Sequence, residues 1–467
     1  MISIGDIATL IEYKFFRAPD NKRAYISADD ERCWQLLQHT SRSFVAVIEE
    51  LNPELREPMM IFYLVLRGLD TIEDDTGLDP AVKLPLLREF KQRVLTRKDW
   101  TFNDSSPTEK DRILLQEFDV VLRLYHDLKP AYQDVIADIT DKMGNGMADY
   151  AAEDAAGNFD GLETIADYDL YCHHVAGIVG EGITRMAEIA KYISGPAVSD
   201  PSLYESMGLF LQKTNIIRDY REDMDEGRSF WPKEVWKKYA THLSDFTEPK
   251  NRQNGLHCIS ELMLLSLAHV TDCLQYLSNV EEPSLFRFCA IPQVMSIASL
   301  ELVFNNPKVF ETNVKIKKPL AVRLILDSAP MHKVYQIFDH FLTHIPQQTV
   351  PSDPHLFNDP PLFWRKVRHA ISPDQITKSQ KALPAFPPSA LRVRGLPTYI
   401  LIWSVGLSIF REVGDYNVRA RRRKVALTQT DLRTKKSHPK AALSKARICD
   451  CDYLRIISAR KVQALPS

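Results

Sequence analysis

The chain has 467 residues, of which 45% are hydrophobic and 26% are charged, and its formal net charge at pH 7 is −2. This composition is ordinary for a soluble globular protein and allows a large core in one helical domain or two smaller ones. The seven cysteines include no C-x-x-C pair, which argues against a disulfide framework and suits free thiols in a reducing compartment. The first residues lack a basic stretch before an apolar run, so no secretory signal is expected.

Helical periodicity dominates the first half of the chain, and the alternation typical of strands is scarce. The pattern predicts a helix over residues 3–15, a second over 29–50, and an apolar helix that follows Pro53 and Pro58. Further helices are predicted over residues 84–95, 110–128 and 131–150, and another begins near Tyr168.

The first acidic motif lies directly after the apolar run at residues 59–66. Asp70 and Asp74 are four residues apart and share one face of a helix, with Glu73 beside them and Arg67 extending the same stripe. Carboxylates that enter a core require cations. The motif therefore indicates either a Mg²⁺ site completed by water and substrate phosphate or a solvated acidic helix end.

A second motif with the same spacing follows much later in the chain. Asp219 and Asp223 are four residues apart, with Glu222 between them, and Gln212 and Asn215 precede them on the same helix face. A polar stripe on an otherwise apolar helix is costly unless it faces a filled polar cavity. Two such helices favour a metal–diphosphate clamp over two accidental surface pairs.

The remaining chain is predicted to hold more helices and then a change of character. Helices are predicted over residues 256–277 and 322–341. Between them, residues 286–295 lead into an apolar helix that runs to about Val303, with Pro292 near its start in a first-turn position. The basic residues 314–318 form a short strand or a loop. No G-x-G-x-x-G follows a strand, so no Rossmann unit is expected.

The C-terminal region divides by composition into three parts. A proline-rich linker covers residues 346–390, an apolar segment covers 391–412, and a basic, disordered tail covers 413–467. From residue 391 onward there are 17 Lys or Arg against 5 Asp or Glu. As a helix the apolar run 396–410 would span about 22 Å, short of a hydrocarbon core of about 30 Å. Both a membrane-spanning and an interfacial or buried helix therefore remain open.

Six sequence blocks together resemble the eukaryotic squalene synthase family, over about residues 25–345. The blocks are SRSF from Ser41, YLVLRGLDTIEDD from Tyr63, MGNGMADY from Met143, YCHHVAGIVGEG from Tyr171, NIIRDYREDMDEGRSFWP from Asn215 and FCAIPQVM from Phe288. The resemblance implies an all-α, single-domain bundle of the isoprenoid-synthase type around a central cavity, with a catalytic domain over residues 1–345. It also implies Mg²⁺, NADPH and the head-to-head joining of two farnesyl diphosphates to presqualene diphosphate, which is then reduced to squalene.

The resemblance also implies roles for particular residues. The metal ligands would be Asp70, Glu73, Asp74, Asp219 and Asp223. The substrate would be held by Arg42, Arg67, Arg218, Arg228 and Gln212, with Gly177 and Gly180 leaving room for prenyl chains. NADPH would be placed by Ser43, Asn215, Lys315 and Lys317. Tyr171 would carry the proton lost when the cyclopropane forms, and Phe288 would face carbocations with its ring.

The sequence departs from the family pattern at Gly68, where alanine is usual, and at Thr76, where methionine is usual. The basic tail is also longer than usual. The alternatives are a phytoene- or dehydrosqualene-type synthase without reduction, and an inhibitor-tolerant or catalytically silent paralogue. A monomer without a nucleic-acid partner is expected. It would be attached by its tail to the endoplasmic reticulum membrane, with the catalytic domain facing the cytosol.

Overall fold

The computed structural model describes residues 26–155, 161–225, 227, 229–349 and 352–354, all of which belong to one compact unit. Within these ranges the chain is helical and forms no β-strand, apart from an isolated antiparallel bridge between Ile193 and Val280. The predicted all-α class is therefore confirmed. The helix expected at residues 3–15 lies outside the described residues.

The first half of the fold supplies seven α-helices and a short π-helical segment at Lys91–Leu95. The helices are α1 (Ala28–Thr40), α2 (Arg42–Glu49), α3 (Pro53–Asp74), α4 (Pro80–Arg88), α5 (Arg112–Gln116), α6 (Phe118–Asp127) and α7 (Pro130–Ala155).

The second half contains the remaining helices and a second π-helical segment at His173–Gly177. The helices are α8 (Ile165–Cys172), α9 (Ile178–Ile189), α10 (Pro196–Ser199), α11 (Pro201–Arg218), α12 (Tyr220–Asp225), α13 (Lys233–Trp236), α14 (Arg252–Leu267), α15 (Val270–Ser278), α16 (Pro283–Val303), α17 (Lys318–Asp327) and α18 (Met331–Gln347). Short 3₁₀ turns occupy Leu243–Thr247, Pro249–Asn251 and Pro307–Phe310.

Two helices that the periodicity predicts as continuous are broken in the structure. The predicted helix 29–50 stops at Ser41, whose backbone is extended with φ −149° and ψ 97°. The Ser41 hydroxyl accepts the N–H of Phe44 at 3.2 Å and so begins α2. The predicted helix 322–341 is likewise two helices, α17 and α18, because Pro330 has no N–H to donate and disfavours helical backbone at the residue before it.

The position predicted for Pro292 is wrong. Pro292 lies in the middle of α16, which starts at Pro283. The Glu282 side chain accepts the N–H of Leu285 at 2.7 Å, so it caps this earlier start. The helix is long and apolar enough to cross a membrane, but 78% of the relevant window is buried inside the protein. It is therefore a core helix, and proline is tolerated within it by tertiary packing.

α11 is the central element of the second half, and it packs against the π-helical segment, α14, α15 and α16. The closest approach requires glycine at position 208, because a Cβ there would lie 2.3 Å from the carbonyl oxygen of Ala176. Gly68 on α3 is similarly constrained, since a Cβ would lie 2.5 Å from the ring of Phe118. The departure from alanine at this position therefore accompanies close packing of α3 against α6.

The division of the C-terminal region stays a prediction. α18 ends at Gln347, and beyond residue 349 the structure describes only residues 352–354. In that short piece Asp353 is buried and its carboxylate accepts the Ser260 hydroxyl at 2.6 Å. The apolar segment 391–412 and the basic tail 413–467 lie outside the described residues.

Candidate active site

A mostly apolar cavity lies among α2, α3, α9, α11, α15 and α16, and the space inside it, counted to its mouth, is about 1050 Å³. Of the described residues that line it, only Arg67 carries a charge. The other lining residues include Phe44, Phe62, Tyr63, Leu66, Ala176, Val179, Gly180, Met207, Gly208, Leu211, Tyr276, Phe288, Cys289, Pro292 and Gln293. A long apolar chain with an anionic end would suit this lining.

The first acidic motif occupies the last turns of α3, just beyond the cavity residue Arg67. Asp70 is fully buried and accepts a bond from Arg67 Nη1 to its Oδ2 at 2.8 Å. Asp74 is 6% exposed, and its Oδ1 has no hydrogen-bond partner in the part of the chain that the structure describes. Burial, with Asp70 and Glu73 nearby, raises the pKa of the Asp74 carboxyl well above its usual range.

A buried carboxylate oxygen without a donor fits a cation that the protein itself does not supply. The carboxylate oxygens of Asp70, Glu73 and Asp74 are the type of ligand that Mg²⁺ prefers. Across the described ranges no three His, Cys, Asp or Glu side chains are gathered closely enough to hold a metal ion by themselves. A Mg²⁺ ion at this site would have to take its other ligands from water and phosphate, as this ion commonly does.

The next carboxylate, Asp75, has a different role. Its Oδ2 accepts the N–H of Ser106 at 2.7 Å, its Oδ1 accepts the N–H of Gly77 at 3.0 Å, and the Ser106 hydroxyl also bonds to it. Lys83 Nζ donates to the carbonyl oxygen of Glu73 at 2.7 Å. Asp75 therefore fixes the connection after α3 rather than joining the metal-binding face.

The second acidic motif begins where α11 ends. The helix stops at Arg218, yet the N–H of Asp219 still donates to Asn215 O at 2.8 Å and that of Asp223 to Asp219 O at 3.0 Å. Asp219 and Asp223 therefore keep the one-turn spacing predicted for them. Gln212 and Asn215 are buried on the same helix.

Arg218 is 4% exposed, and one edge of its guanidinium makes two hydrogen bonds to the Asp219 carboxylate. Nε donates to Asp219 Oδ1 at 2.7 Å, and Nη2 donates to Oδ2 at 2.5 Å. α3 and α11 both supply wall residues of the cavity, through Arg67 and Leu211. The first acidic motif lies in the last turns of α3, and the second begins at the residue after α11. Each motif is therefore joined to a helix that lines the same cavity.

Tyr171 and Phe288 lie in different surroundings. Phe288 is in the cavity wall. Tyr171 is buried at the end of α8, where its ring stacks on Phe230 at 4.8 Å between centroids and meets the edge of Tyr150 at 5.4 Å. This aromatic packing holds the Tyr171 ring in one orientation.

The two glycines expected to make room for prenyl chains also differ. Gly180 lines the cavity, and a Cβ there would lie 2.3 Å from Tyr204 O. Gly177 is not among the described lining residues, and a Cβ there would lie 2.3 Å from a Glu205 carboxylate oxygen. The structure therefore explains Gly177 by close helix packing and not by space in the cavity.

Of the remaining predicted residues, Arg228 and the side chains of Arg42 and Ser43 lie outside what the structure describes. Residues 314–317 form a loop, and Lys318 is the first residue of α17. The loop alternative is therefore confirmed. Lys315 and Lys317 are exposed, whereas Val314 and Ile316 between them are buried. Asn313 Nδ2 donates to Glu222 Oε2 at 2.6 Å, which places this loop beside the second acidic motif.

A partly buried polar chain anchors α11 from the side, and no sequence pattern predicted it. Lys213 Nζ lies 2.7 Å from Asp169 Oδ1 on α8 and 2.9 Å from His269 Nε2. An ammonium group can only donate, so His269 Nε2 accepts and the imidazole proton is on Nδ1. That proton faces Ser206 Oγ at 3.0 Å, and the Ser206 hydroxyl donates to Asp272 at 2.9 Å.

This arrangement predicts that acid destabilises the fold. Burial and the adjacent Lys213 charge lower the pKa of His269 to about 3. Below the unfolded-state pKa of about 6.5 the unfolded chain binds a proton that the folded chain refuses, so stability falls as the pH falls. Lowering the pH from 7.5 to 5 should cost about 1–2 kcal/mol through this residue. Denaturant unfolding of His269→Gln should show a flatter pH dependence, whereas a slope unchanged from the wild type would contradict the assignment. The variant His257→Gln, at a half-buried histidine outside this polar chain, is the control.

Comparison with known proteins agrees with these features. The family model described as squalene/phytoene synthase matches residues 37–319. The squalene synthase of Cyberlindnera jadinii is 55% identical over 351 residues, covering 75% of this chain and 79% of the relative. That of Saccharomyces cerevisiae is 53% identical over 322 residues, covering 69% and 72%.

A solved complex of TcSQS with a ligand has a TM-score of 0.67 and 36% identity, covering 76% of this chain and 99% of that chain. The expected isoprenoid-synthase-type helical fold is thus confirmed. The chain belongs to the squalene/phytoene synthase family, as an enzyme of the squalene synthase type.

Proposed function

We propose that this protein joins two molecules of farnesyl diphosphate head to head and reduces the resulting presqualene diphosphate to squalene. The observation that carries the proposal is an apolar cavity with the Arg67 charge at its lining. Its walls come from α3, which holds the first acidic motif, and from α11, which ends where the second motif begins. Apolar walls would bury the prenyl chains, and the charged groups would hold the diphosphates at one end.

Magnesium would be held by Asp70, Glu73 and Asp74 on one side and by Asp219 and Asp223 on the other. When bound, it offsets the charge that builds on the diphosphate leaving group. Arg67 already lies in a buried ion pair with Asp70, and Arg218 in a partly buried ion pair with Asp219. They could turn to phosphate oxygens while the carboxylates turn to the metal, because guanidinium forks fit both anions. Arg42, Arg228 and Gln212 would complete the substrate contacts.

Tyr171 would hold and pass on the proton lost during cyclopropane formation, with its ring fixed by Phe230. Phe288 presents an aromatic ring to the cavity, where a carbocation would be attracted to its π face. Ser43, Asn215, Lys315 and Lys317 would place NADPH, which supplies the hydride for reduction. The exposed Lys315 and Lys317 suit the phosphate groups of a dinucleotide.

For its cellular setting, we propose attachment to the endoplasmic reticulum membrane through the tail segment 391–412, with the catalytic domain on the cytosolic side. The apolar run followed by basic residues supports this placement. A monomer is proposed for this enzyme.

The test is a product assay by mass spectrometry. Purified protein is incubated with farnesyl diphosphate and Mg²⁺, with and without NADPH. Squalene is expected only when both Mg²⁺ and NADPH are present, and presqualene diphosphate should accumulate without NADPH. An unreduced hydrocarbon formed equally well without NADPH would identify a dehydrosqualene-type synthase instead. No conversion of farnesyl diphosphate under any condition would identify a catalytically silent paralogue.

A further inference from the structure

Arg67 is held between two buried carboxylates, only one of which belongs to an acidic motif. Arg67 Nη1 donates to Asp70 at 2.8 Å. On its other edge, Nε donates to Asp111 Oδ2 at 2.9 Å, and Nη2 bonds to the same oxygen. Asp111 is 7% exposed and comes from the connection that precedes α5, 44 positions along the chain from Arg67.

Asp111 is itself firmly placed. Its N–H donates to Glu109 Oε1 at 3.1 Å, and its carbonyl oxygen accepts the N–H of Leu114 at 2.9 Å as α5 begins. The same connection is fastened to the end of α3 through the bonds of Ser106 to Asp75. The backbone of Asp111 is therefore held by contacts that do not involve Arg67.

The two carboxylates stop being equivalent once a metal binds. Mg²⁺ bound at Asp70 would take up oxygen lone pairs that accept from Arg67 in this structure, and its charge would repel the guanidinium. The bonds to Asp111 lie on the opposite edge of the guanidinium and would stay in place. Because guanidinium has five N–H donors in a rigid fork, the edge now facing Asp70 can turn to a phosphate oxygen while the Asp111 edge stays bound.

We propose that Asp111 is a positioning residue of the diphosphate site: it holds the guanidinium of Arg67 in place when Asp70 binds the metal. The inference rests on the proposed function, since it assumes a metal–diphosphate ligand. It adds a residue outside both acidic motifs and assigns a purpose to the connection between α4 and α5.

The fold offers a matched control. Arg123 on α6 is also held between two carboxylates, with Nε and Nη2 bonded to Asp29 at 2.7 and 2.8 Å and Nη1 bonded to Asp119 at 2.7 Å. None of these three residues is among those lining the cavity. Asp29→Asn therefore removes the same two-bond carboxylate from an arginine that has no part in binding.

The experiment measures binding of inorganic pyrophosphate in the presence of Mg²⁺ by calorimetry, which requires no turnover. Asp111→Asn should weaken the affinity at least ~10-fold, the scale of a lost charged hydrogen bond. Asp29→Asn should leave it unchanged, and Asp111→Glu should fall between wild type and Asp111→Asn. In an Arg67→Lys background, where the fork is gone, Asp111→Asn should cost much less.

The proposal is overturned if Asp111→Asn binds pyrophosphate like the wild type, or if Asp29→Asn loses as much affinity. Should Asp111→Asn not fold, Asp111→Glu decides instead, because an affinity equal to that of the wild type would overturn the proposal. The proposed function is judged separately: a wild-type protein that binds Mg²⁺–pyrophosphate but makes no squalene refutes that function and leaves the role of Asp111 standing.

Discussion

Asp219→Asn should reduce squalene formation at least ~100-fold. Changing a group that only supports a metal ligand lowers metal affinity or activity by up to ~100-fold, and changing the ligand itself should cost at least as much. The neutral amide is a poor ligand for Mg²⁺, so the charge on the leaving diphosphate would be less well offset. In the wild type Arg218 bonds both Asp219 oxygens. The fold of the variant should survive, because its amide oxygen can still accept one of these bonds. Turnover of farnesyl diphosphate and thermal unfolding are measured together.

The control for this variant lies six positions away. Asp225 ends α12, is 62% exposed, and forms an ion pair with Arg221 at the surface. Surface pairs of this kind contribute little to stability, so Asp225→Asn should keep wild-type turnover and wild-type stability. Retained turnover in Asp219→Asn, with Asp225→Asn equally active, would refute the metal assignment at the second motif.

Tyr171→Phe should lower the rate of presqualene diphosphate formation about 100-fold or more. This is the usual contribution of a group that transfers a proton in the transition state. Phenylalanine keeps the stack on Phe230 and the edge contact with Tyr150, so the aromatic packing should be preserved. Presqualene diphosphate formation is followed without NADPH, and the melting temperature is recorded for each variant.

Tyr168→Phe is the matched control, because Tyr168 is buried on the same helix α8 and its hydroxyl makes a long bond of 3.5 Å to Lys213 O. This variant should keep most of its activity. If Tyr171→Phe remains fully active while it folds normally, the proton-carrying role falls to another group, and the resemblance that suggested Tyr171 was misleading at this position.

The acidic motifs were predictable because their information is local. A spacing of four residues on an apolar helix already places Asp70 and Asp74 on one face, and the structure finds both buried. The same reasoning holds for Asp219 and Asp223, although the helix breaks between Arg218 and Tyr220. Local spacing gave no warning of that break, because Asp219 keeps helical hydrogen bonding on both sides.

The supporting groups were not predictable, because each depends on contacts between distant segments. Asp75 belongs to the same run of acidic residues as Asp74, yet its bonds to Ser106 separate it from the metal-binding face. Asp111 reaches Arg67 across 44 positions, and His269 reaches Lys213 across 56. Single-sequence periodicity contains no term for such pairings, since it reports only which residues share a face of one element.

The predicted helix boundaries were wrong where a single side chain, rather than the apolar periodicity, determines where a helix begins or ends. Ser41 ends one helix and starts the next through its own hydroxyl, within a stretch whose apolar residues remain periodic. Pro292 looked like a helix start, but the true start is marked by Glu282 and Pro283, nine positions earlier. These positions show that capping chemistry must be weighed against periodicity.

The most direct test of the central claim is a crystal structure with Mn²⁺ and farnesyl thiodiphosphate, an analogue with a slow leaving group. Anomalous density should place metal ions at Asp70 or Asp74 and at Asp219 or Asp223, with diphosphate oxygens bridging the two motifs and the farnesyl chain in the cavity beside Phe288. Metal at only one motif, or a diphosphate bound away from both, would contradict the account.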